Sequence, residues 1–320
     1  MKIRKSMIAA FAATTVLMAA SPASADYPEK SIKLIVPFAA GGGSDALART
    51  IQAAIEKNEL MDQKLVIVNA DGAGGTIGAR QAKDAKADGY TFLQIHTTML
   101  AAMASEKIEF GLDAFTPVSQ TTQSCLYVAA GQKSGISNFD DLVAKAKEAP
   151  GSIKVADSIG SVSHFLWAQI METADIDVGM VQVGGSAKRF ASLKGGLTSL
   201  ALMSPSWVKR GGDDLTSLLW LGADRPTDIG DMPSASDIGI DVAGCLNRVF
   251  YAPAGAPQEA IDYFGDVLAK VMQTEELQAY HEKSGSTVVI KTGEELSDAL
   301  QAELEALEVV APAVKAAMGN

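Results

Sequence analysis

Ile32-Lys33-Leu34-Ile35-Val36-Pro37-Phe38-Ala39-Ala40-Gly41-Gly42-Gly43-Ser44-Asp45-Ala46-Leu47-Ala48-Arg49 passes from one kind of secondary structure to another within eighteen residues. Ile32–Phe38 is an apolar run suited to a buried strand. Three glycines end it. From Ser44 to Lys57 the apolar residues Leu47, Ile51 and Ile55 recur at helical spacing, and Ser44 or Asp45 can cap the helix. Strand, glycine turn and helix in this order leave backbone N–H groups at a helix N-terminus facing an anion. The pattern returns at Leu65-Val66-Ile67-Val68-Asn69-Ala70-Asp71-Gly72-Ala73-Gly74-Gly75-Thr76-Ile77-Gly78, with a strand over Leu65–Asn69 and a helix over Gly75–Ala85.

Working outward, Asp88-Gly89 is a turn and Tyr90–His96 a third strand. A second series predicts strands at Leu126–Ala130, Ile153–Asp157, Gly179–Val183 and Leu197–Met203. Helices over Asn138–Glu148, Ser163–Thr173 and Ala187–Lys194 alternate with them. Residues 209–240 are rich in Gly, Asp and Pro and read as irregular surface. A short strand at Val249–Ala252 precedes helices at about 258–272, 274–283 and Gly293–Met318. Repeated βα units imply α/β lobes, each with a mainly parallel sheet flanked by helices. The expected division is residues 26–124 with 246–320 in one lobe and 125–245 in the other. Two crossing segments, Val118–Leu126 and Val242–Val249, join them.

Each crossing carries one of the two cysteines, Cys125 and Cys245. Side by side, they fall within the ~7 Å that a disulfide bridges; otherwise they are two buried thiols. The N-terminus supports the oxidising compartment that a disulfide needs. Lys2, Arg4 and Lys5 precede an uncharged apolar run from Met7 to Ala20, and Ala23-Ser24-Ala25 fits a cleavage site after Ala25. Residues 1–25 therefore read as an export signal, and the periplasm as the destination. Removing them takes three of the 27 basic residues, so the mature charge is 24 − 38 = −14. That acidity excludes nucleic acid as a partner but not an anionic ligand held by main-chain donors.

Catalytic and cofactor patterns do not assemble. The dinucleotide fingerprint starting at Gly72 meets Ile77 where its last glycine belongs, and no Gly-Lys-Ser/Thr ends the first loop. His96, His164 and His281 have no partner at metal-ligand spacing. Neither a cofactor nor a metal is expected. Ser163 and His164 are adjacent at a helix start, where a nucleophile and its base do not face one another. Ser161 or Ser163 caps that helix and His164 lies near a ligand, or the cap is structural alone. Asp45 reads as a loop organiser in the first helical turn. Thr97 and Thr98 follow the third strand, at the carboxyl edge where open sheets bind ligands; the alternative is ordinary capping.

Tyr27-Pro28-Glu29-Lys30-Ser31-Ile32, Pro37 to Asp45, Asn69 with Gly72 to Gly78, and Ala87-Asp88-Gly89-Tyr90-Thr91-Phe92 together resemble periplasmic solute-binding proteins. These are the receptors of tripartite tricarboxylate transporters, also called Bug receptors. Gly160-Ser161-Val162-Ser163-His164-Phe165-Leu166, Lys194-Gly195-Gly196-Leu197 and Tyr251-Ala252-Pro253-Ala254-Gly255-Ala256-Pro257 continue the resemblance over essentially the whole mature chain. It implies a type II periplasmic binding protein, non-enzymatic and monomeric, that closes on a small organic carboxylate and delivers it to membrane permease subunits. By position, one carboxylate falls to Phe38, Ala39, Ala40, Gly41 and Gly42 with Asp45, and to Ala73, Gly74, Gly75 and Thr76, with Thr97 and Thr98 at the strand end. Ser161, Ser163, His164 and Gly185 face the other end. Where the family often has a Tyr-Lys-Gly run before the second-lobe helix, this chain has Val181-Gln182-Val183-Gly184-Gly185-Ser186, and the missing tyrosine and lysine leave the distal contacts open. The competing expectations are an exported α/β enzyme using Ser163, His164 or Asp45, and a module that reports to a signalling partner.

Overall fold

The computed structural model describes residues 27–222, 231–239 and 244–318. The expected cleavage site lies outside them, as does the start of the second expected crossing. The strands are β1 (Ile32–Val36), β2 (Leu65–Asn69), β3 (Thr91–His96), β4 (Phe115–Cys125), β5 (Tyr127–Gly131), β6 (Lys154–Asp157), β7 (Gly179–Gln182), β8 (Leu200–Met203), β9 (Leu215–Trp220), β10 (Cys245–Pro253) and β11 (Thr287–Lys291). The helices are α1 (Gly43–Lys57), α2 (Thr76–Lys83), α3 (Thr98–Ala104), α4 (Phe139–Glu148), α5 (Val162–Ala174), α6 (Ser186–Gly195), α7 (Pro205–Gly211), α8 (Gln258–Val271), α9 (Glu275–Ser284) and α10 (Gly293–Met318).

Two sheets form, in the orders β11-β4-β10-β3-β1-β2 and β7-β6-β8-β5-β9. The parallel pairs β1–β2, β1–β3, β6–β7 and β6–β8 come from the βα units expected above. Both sheets are nevertheless mixed. β10 runs antiparallel to β3 and β4, and β5 antiparallel to β8 and β9. The crossing segments cause this, because chain returning from the other lobe enters the sheet in reverse. They are long strands rather than connectors, and β4 spans 11 residues.

The expectation of irregular surface over 209–240 is corrected. Leu215–Trp220 is the edge strand β9, with Leu218, Leu219 and Trp220 buried. Its apolar half lies so close to Gly211-Gly212-Asp213-Asp214 that composition hid it. The helices α3 and α7 and the strand β11 also lie outside the expected pattern.

The carboxyl ends of β1, β2 and β3 in one sheet, and of β6 and β7 in the other, carry the candidate loops. One apolar core runs between the lobes. Along α10, Leu296, Leu300, Leu304, Leu307, Ala311 and Val314 are buried at three- and four-residue spacing in the same cluster as Met99 of α3 and Phe165 and Trp167 of α5. Where the chain changes lobe, Leu126 N donates to Gly244 O (2.9 Å), Leu221 N to Leu126 O (2.9 Å) and Gly244 N to Leu221 O (2.7 Å). Beside this knot Cys125 and Cys245 are opposite one another in the β4–β10 register, with Cα atoms 3.7 Å apart, and are disulfide-bonded across 120 residues.

The disulfide closes a long loop, so removing it is expected to cost about 2–4 kcal/mol. Cys125→Ala with Cys245→Ala should lower the urea midpoint at unchanged slope. A midpoint equal to that of the unreduced wild type would show that the bridge does not hold the hinge.

Candidate ligand-binding site

The first glycine loop is held by the Asp45 carboxylate. Gly41 N donates to its Oδ2 (2.8 Å), as does Arg49 Nε (3.0 Å). Asn69 Nδ2, at the end of β2, donates to its Oδ1 (3.0 Å) and to Phe38 O (3.1 Å). Asp45 is only 2% exposed. Burial works to raise its pKa, but the bonds from Arg49, Gly41 and Asn69 outweigh it and hold the carboxyl below its ordinary value. Both oxygens are thus spent inside the loop, which suits an organiser.

The bonding leaves donors over. Among the described residues, the N–H groups of Ala39 and Ala40, and of Gly43, Ser44 and Asp45 in the first turn of α1, meet no acceptor. Gly42, the N-cap, supplies no side chain to satisfy them. Ala39, Ala40, Gly41 and Gly43 are exposed, and Gly42 is half-buried.

The second loop forms a 3₁₀ turn over Ala73–Gly75, closed by Gly75 N to Gly72 O (2.9 Å) and Thr76 Oγ1 to Ala73 O (3.2 Å). Ala73 N and Gly74 N meet no acceptor among the described residues. Gly75 has φ +96°, and a Cβ there would stand 3.3 Å from the Phe38 ring. At Gly78 a Cβ would reach Pro37 Cβ at 2.6 Å, so glycine is what lets α2 approach β1. Phe38 therefore joins the two loops. Its other neighbour is His96, stacked at 4.7 Å between centroids and 5° between planes.

His96 Nδ1 accepts from Thr98 N (3.3 Å), which leaves the ring hydrogen of the neutral imidazole on Nε2. Burial, then the guanidinium groups of Arg248 and Arg189, push its pKa down to about 3. Arg248 is the register partner of His96 on β10, whereas Arg189 belongs to α6 of the other lobe. The His96 ring thus feels positive charge from both lobes.

In the second lobe Asp157 ends β6, fully buried. Ser163 Oγ donates to its Oδ1, and Arg189 Nη2 lies 3.3 Å from the same oxygen. Arg189 Nη2 also donates to Ser163 Oγ (2.8 Å), Nε to Gly184 O (2.7 Å) and Nη1 to Leu202 O (3.4 Å). Ser161 occupies the N-cap of α5, but its hydroxyl bonds Ser163 Oγ (2.9 Å) rather than the helix. His164 Nδ1 accepts from Gly160 N (3.0 Å), and its buried Nε2 has no partner among the described residues. Burial chiefly, with Lys107, lowers the His164 pKa against the pull of Asp157. Gly185 is exposed at the N-cap of α6.

Two of the expected residues, Thr97 and Thr98, are buried. Thr97 Oγ1 accepts from Asn247 N (3.1 Å) and serves the hinge. Thr98 packs with Gly74, Gly75 and Thr76 around a void too narrow for water. Three charged residues were not anticipated: Asp157, Arg189 and Arg248. Two of them were open to inference. Arg248 is a lone cation inside the apolar run from Cys245 to Pro253, and Asp157 ends a buried strand.

This architecture is that of the two-lobed periplasmic binding proteins. MatC from Rhodopseudomonas palustris, solved with bound malate, superposes with a TM-score of 0.80 at 22% identity, covering 89% of this chain and all of that one (100%). Rpa4515 of R. palustris, solved with adipate, superposes at 0.82 and 22% identity over 90% and 98% of the two chains. In sequence, BugT from Bordetella pertussis is 28% identical over 298 residues, 89% of this chain and 90% of that protein. Residues 47–311 match the model of the tripartite tricarboxylate transporter family receptor, and the chain belongs to that family. Among the described residues, no helix is long and apolar enough to cross a membrane.

Two outcomes follow from the site's electrostatics. Because the folded Asp45 pKa is depressed, its contribution is complete above the ordinary carboxylate value of about 3.9 and is lost as pH falls through the native one. Urea titrations from pH 6 to pH 3 should show Asp45→Asn less stable than wild type at pH 6, with the gap narrowing in acid. A constant gap would remove Asp45 as the loop's charged hub. Arg189→Met strands a fully buried carboxylate and should cost about 3–5 kcal/mol in the same assay. Pairing it with Asp157→Asn should recover a large part of the loss.

Proposed function

We propose that this protein is a receptor that captures a small organic carboxylate between its lobes and delivers it to the permease subunits of a tripartite transporter. It acts as a monomer in the periplasm, after removal of the leader behind Ala25. The observation that carries the reading is the set of N–H groups, without an acceptor among the described residues, at two adjoining glycine loops: those of Ala39, Ala40, Gly43, Ser44, Asp45, Ala73 and Gly74. Such donors bind a carboxylate through charge-assisted bonds worth roughly 1.5–3 kcal/mol each. Malate in MatC and adipate in Rpa4515 are ligands of this chemistry in proteins of the same fold. The ligand's far end falls to Ser161, His164 Nε2–H and Gly185, with Ser163 as part of their support.

The enzyme alternative fits less well. Ser163 Oγ already donates to Asp157 and accepts from Arg189, and His164 Nδ1 is engaged by Gly160 N. The carboxylate that accepts the serine hydrogen, Asp157, is fully buried and already paired with Arg189, and His164 makes no hydrogen bond to the serine.

The test is calorimetric titration of the mature chain with malate, adipate and a series of related C4–C6 dicarboxylates. At least one should bind at one-to-one stoichiometry and raise the melting temperature by mass action. Gly42→Asp, whose Cβ would stand 3.2 Å from Ala39 O and whose charge enters the loop, should abolish that binding. NMR of the incubated acid should show no new product. Turnover, or silence across the whole series, would sink the proposal.

A further inference from the structure

Two arginines are buried to nearly the same degree here, Arg189 at 7% exposure and Arg248 at 8%. Arg189 has a carboxylate, a hydroxyl and two carbonyls around it. Arg248 has none of these. Among the described residues no hydrogen bond or ion pair engages its guanidinium, and its Nε is sealed from solvent without an acceptor. A buried cation without a counter-charge is unfavourable, so its surroundings matter.

Those surroundings are positive or neutral. Arg248 Nη2 lies 3.5 Å from where a Cβ on Gly43 would stand, at the uncapped first turn of the 15-residue helix α1. His96, its register partner, is neutral. The Tyr280 hydroxyl donates to Gly43 O (3.3 Å) and carries no charge. The nearest acid on α1, Asp45, is committed to Gly41, Arg49 and Asn69. A guanidinium, a helix N-terminus and three acceptor-free N–H groups therefore lie side by side, with nothing negative among the described residues to meet them.

We propose that Arg248 is a ligand-anchoring residue: its guanidinium and the first-turn N–H groups of α1 together hold one carboxylate of the bound acid. This rests on the receptor reading above and deepens it, because it makes affinity at that end depend on a side-chain charge as well as on backbone donors. A planar carboxylate can use the fork of the guanidinium, which a lysine ammonium does not reproduce.

Two measurements decide it. In a crystal of the wild-type chain grown in bromide, an anomalous peak is expected within hydrogen-bonding reach of the Arg248 guanidinium, and none in Arg248→Met. In titrations with malate and adipate, Arg248→Met should weaken the better ligand roughly 10- to 150-fold, and Arg248→Lys should recover part of the loss. Equal affinity in Arg248→Met, or a wild-type crystal without bromide at Arg248, overturns the assignment. If the acids bind wild type and Arg248→Met alike, the receptor reading survives and only the anchor falls. If bromide occupies the site but no acid in the series binds, the anion site stands and the receptor reading falls. Should Arg248→Met misfold by far-UV circular dichroism, the wild-type bromide map and the Arg248→Lys titration still decide.

Discussion

The first glycine loop stands on one buried carboxylate. An uncapped helix start leaves its first N–H groups to solvent or to a ligand. Left to itself, such a loop would relax and satisfy some of its own N–H groups. Asp45 prevents this by binding Gly41 N behind the loop, Arg49 one turn along α1 and Asn69 at the end of β2. Asn69 closes the circuit by donating to Phe38 O. The donors on the other side of the loop are then fixed in place and unpaid, which is the preorganised state that an anion binds with least loss. Phe38 carries the constraint onward, because its ring abuts Gly75 and stacks on His96. One carboxylate thus positions two loops and a strand end.

The hinge imposes the second constraint. The antiparallel strands β4 and β10 place Cys125 against Cys245 at the point where the chain changes lobe. On the other side, α10 packs against α3 of one lobe and α5 of the other, with Leu300, Leu304 and Leu307 in one core with Phe165 and Trp167. A pivot held by sheet hydrogen bonds and an apolar helix can bend, but it resists shear.

How much of this was legible in the sequence follows from the range of the interactions. Periodicity and glycine placement are local, so β1, α1, β2 and α5 stand where the pattern put them, and Asp45 reads as a loop organiser because its partner Gly41 is four residues away. The antiparallel half of each sheet was not legible, because β10 pairs with β3 and β4 across more than a hundred residues and nothing local announces it. The same limit hid the polar core of the second lobe. Asp157, Ser163 and Arg189 become one network only when β6, α5 and α6 meet. Ser163 and His164 drew notice as neighbours in sequence, yet their bonds run to different partners, Asp157 and Gly160.

The two arginines near His96 bring these constraints together. Both depress its pKa, Arg248 from β10 of one lobe and Arg189 from α6 of the other. Two bare guanidinium groups approaching there would oppose closure at short range. Asp157 cancels one of them inside its own lobe. The second lobe then presents dipoles and hydroxyls rather than net charge, and the uncompensated charge stays with Arg248 beside α1. A negatively charged guest is most favourable in the first lobe, where that charge and the free N–H groups lie. The free N–H groups and the uncompensated Arg248 charge therefore lie together in one lobe, whereas the charges of Asp157 and Arg189 cancel within the other.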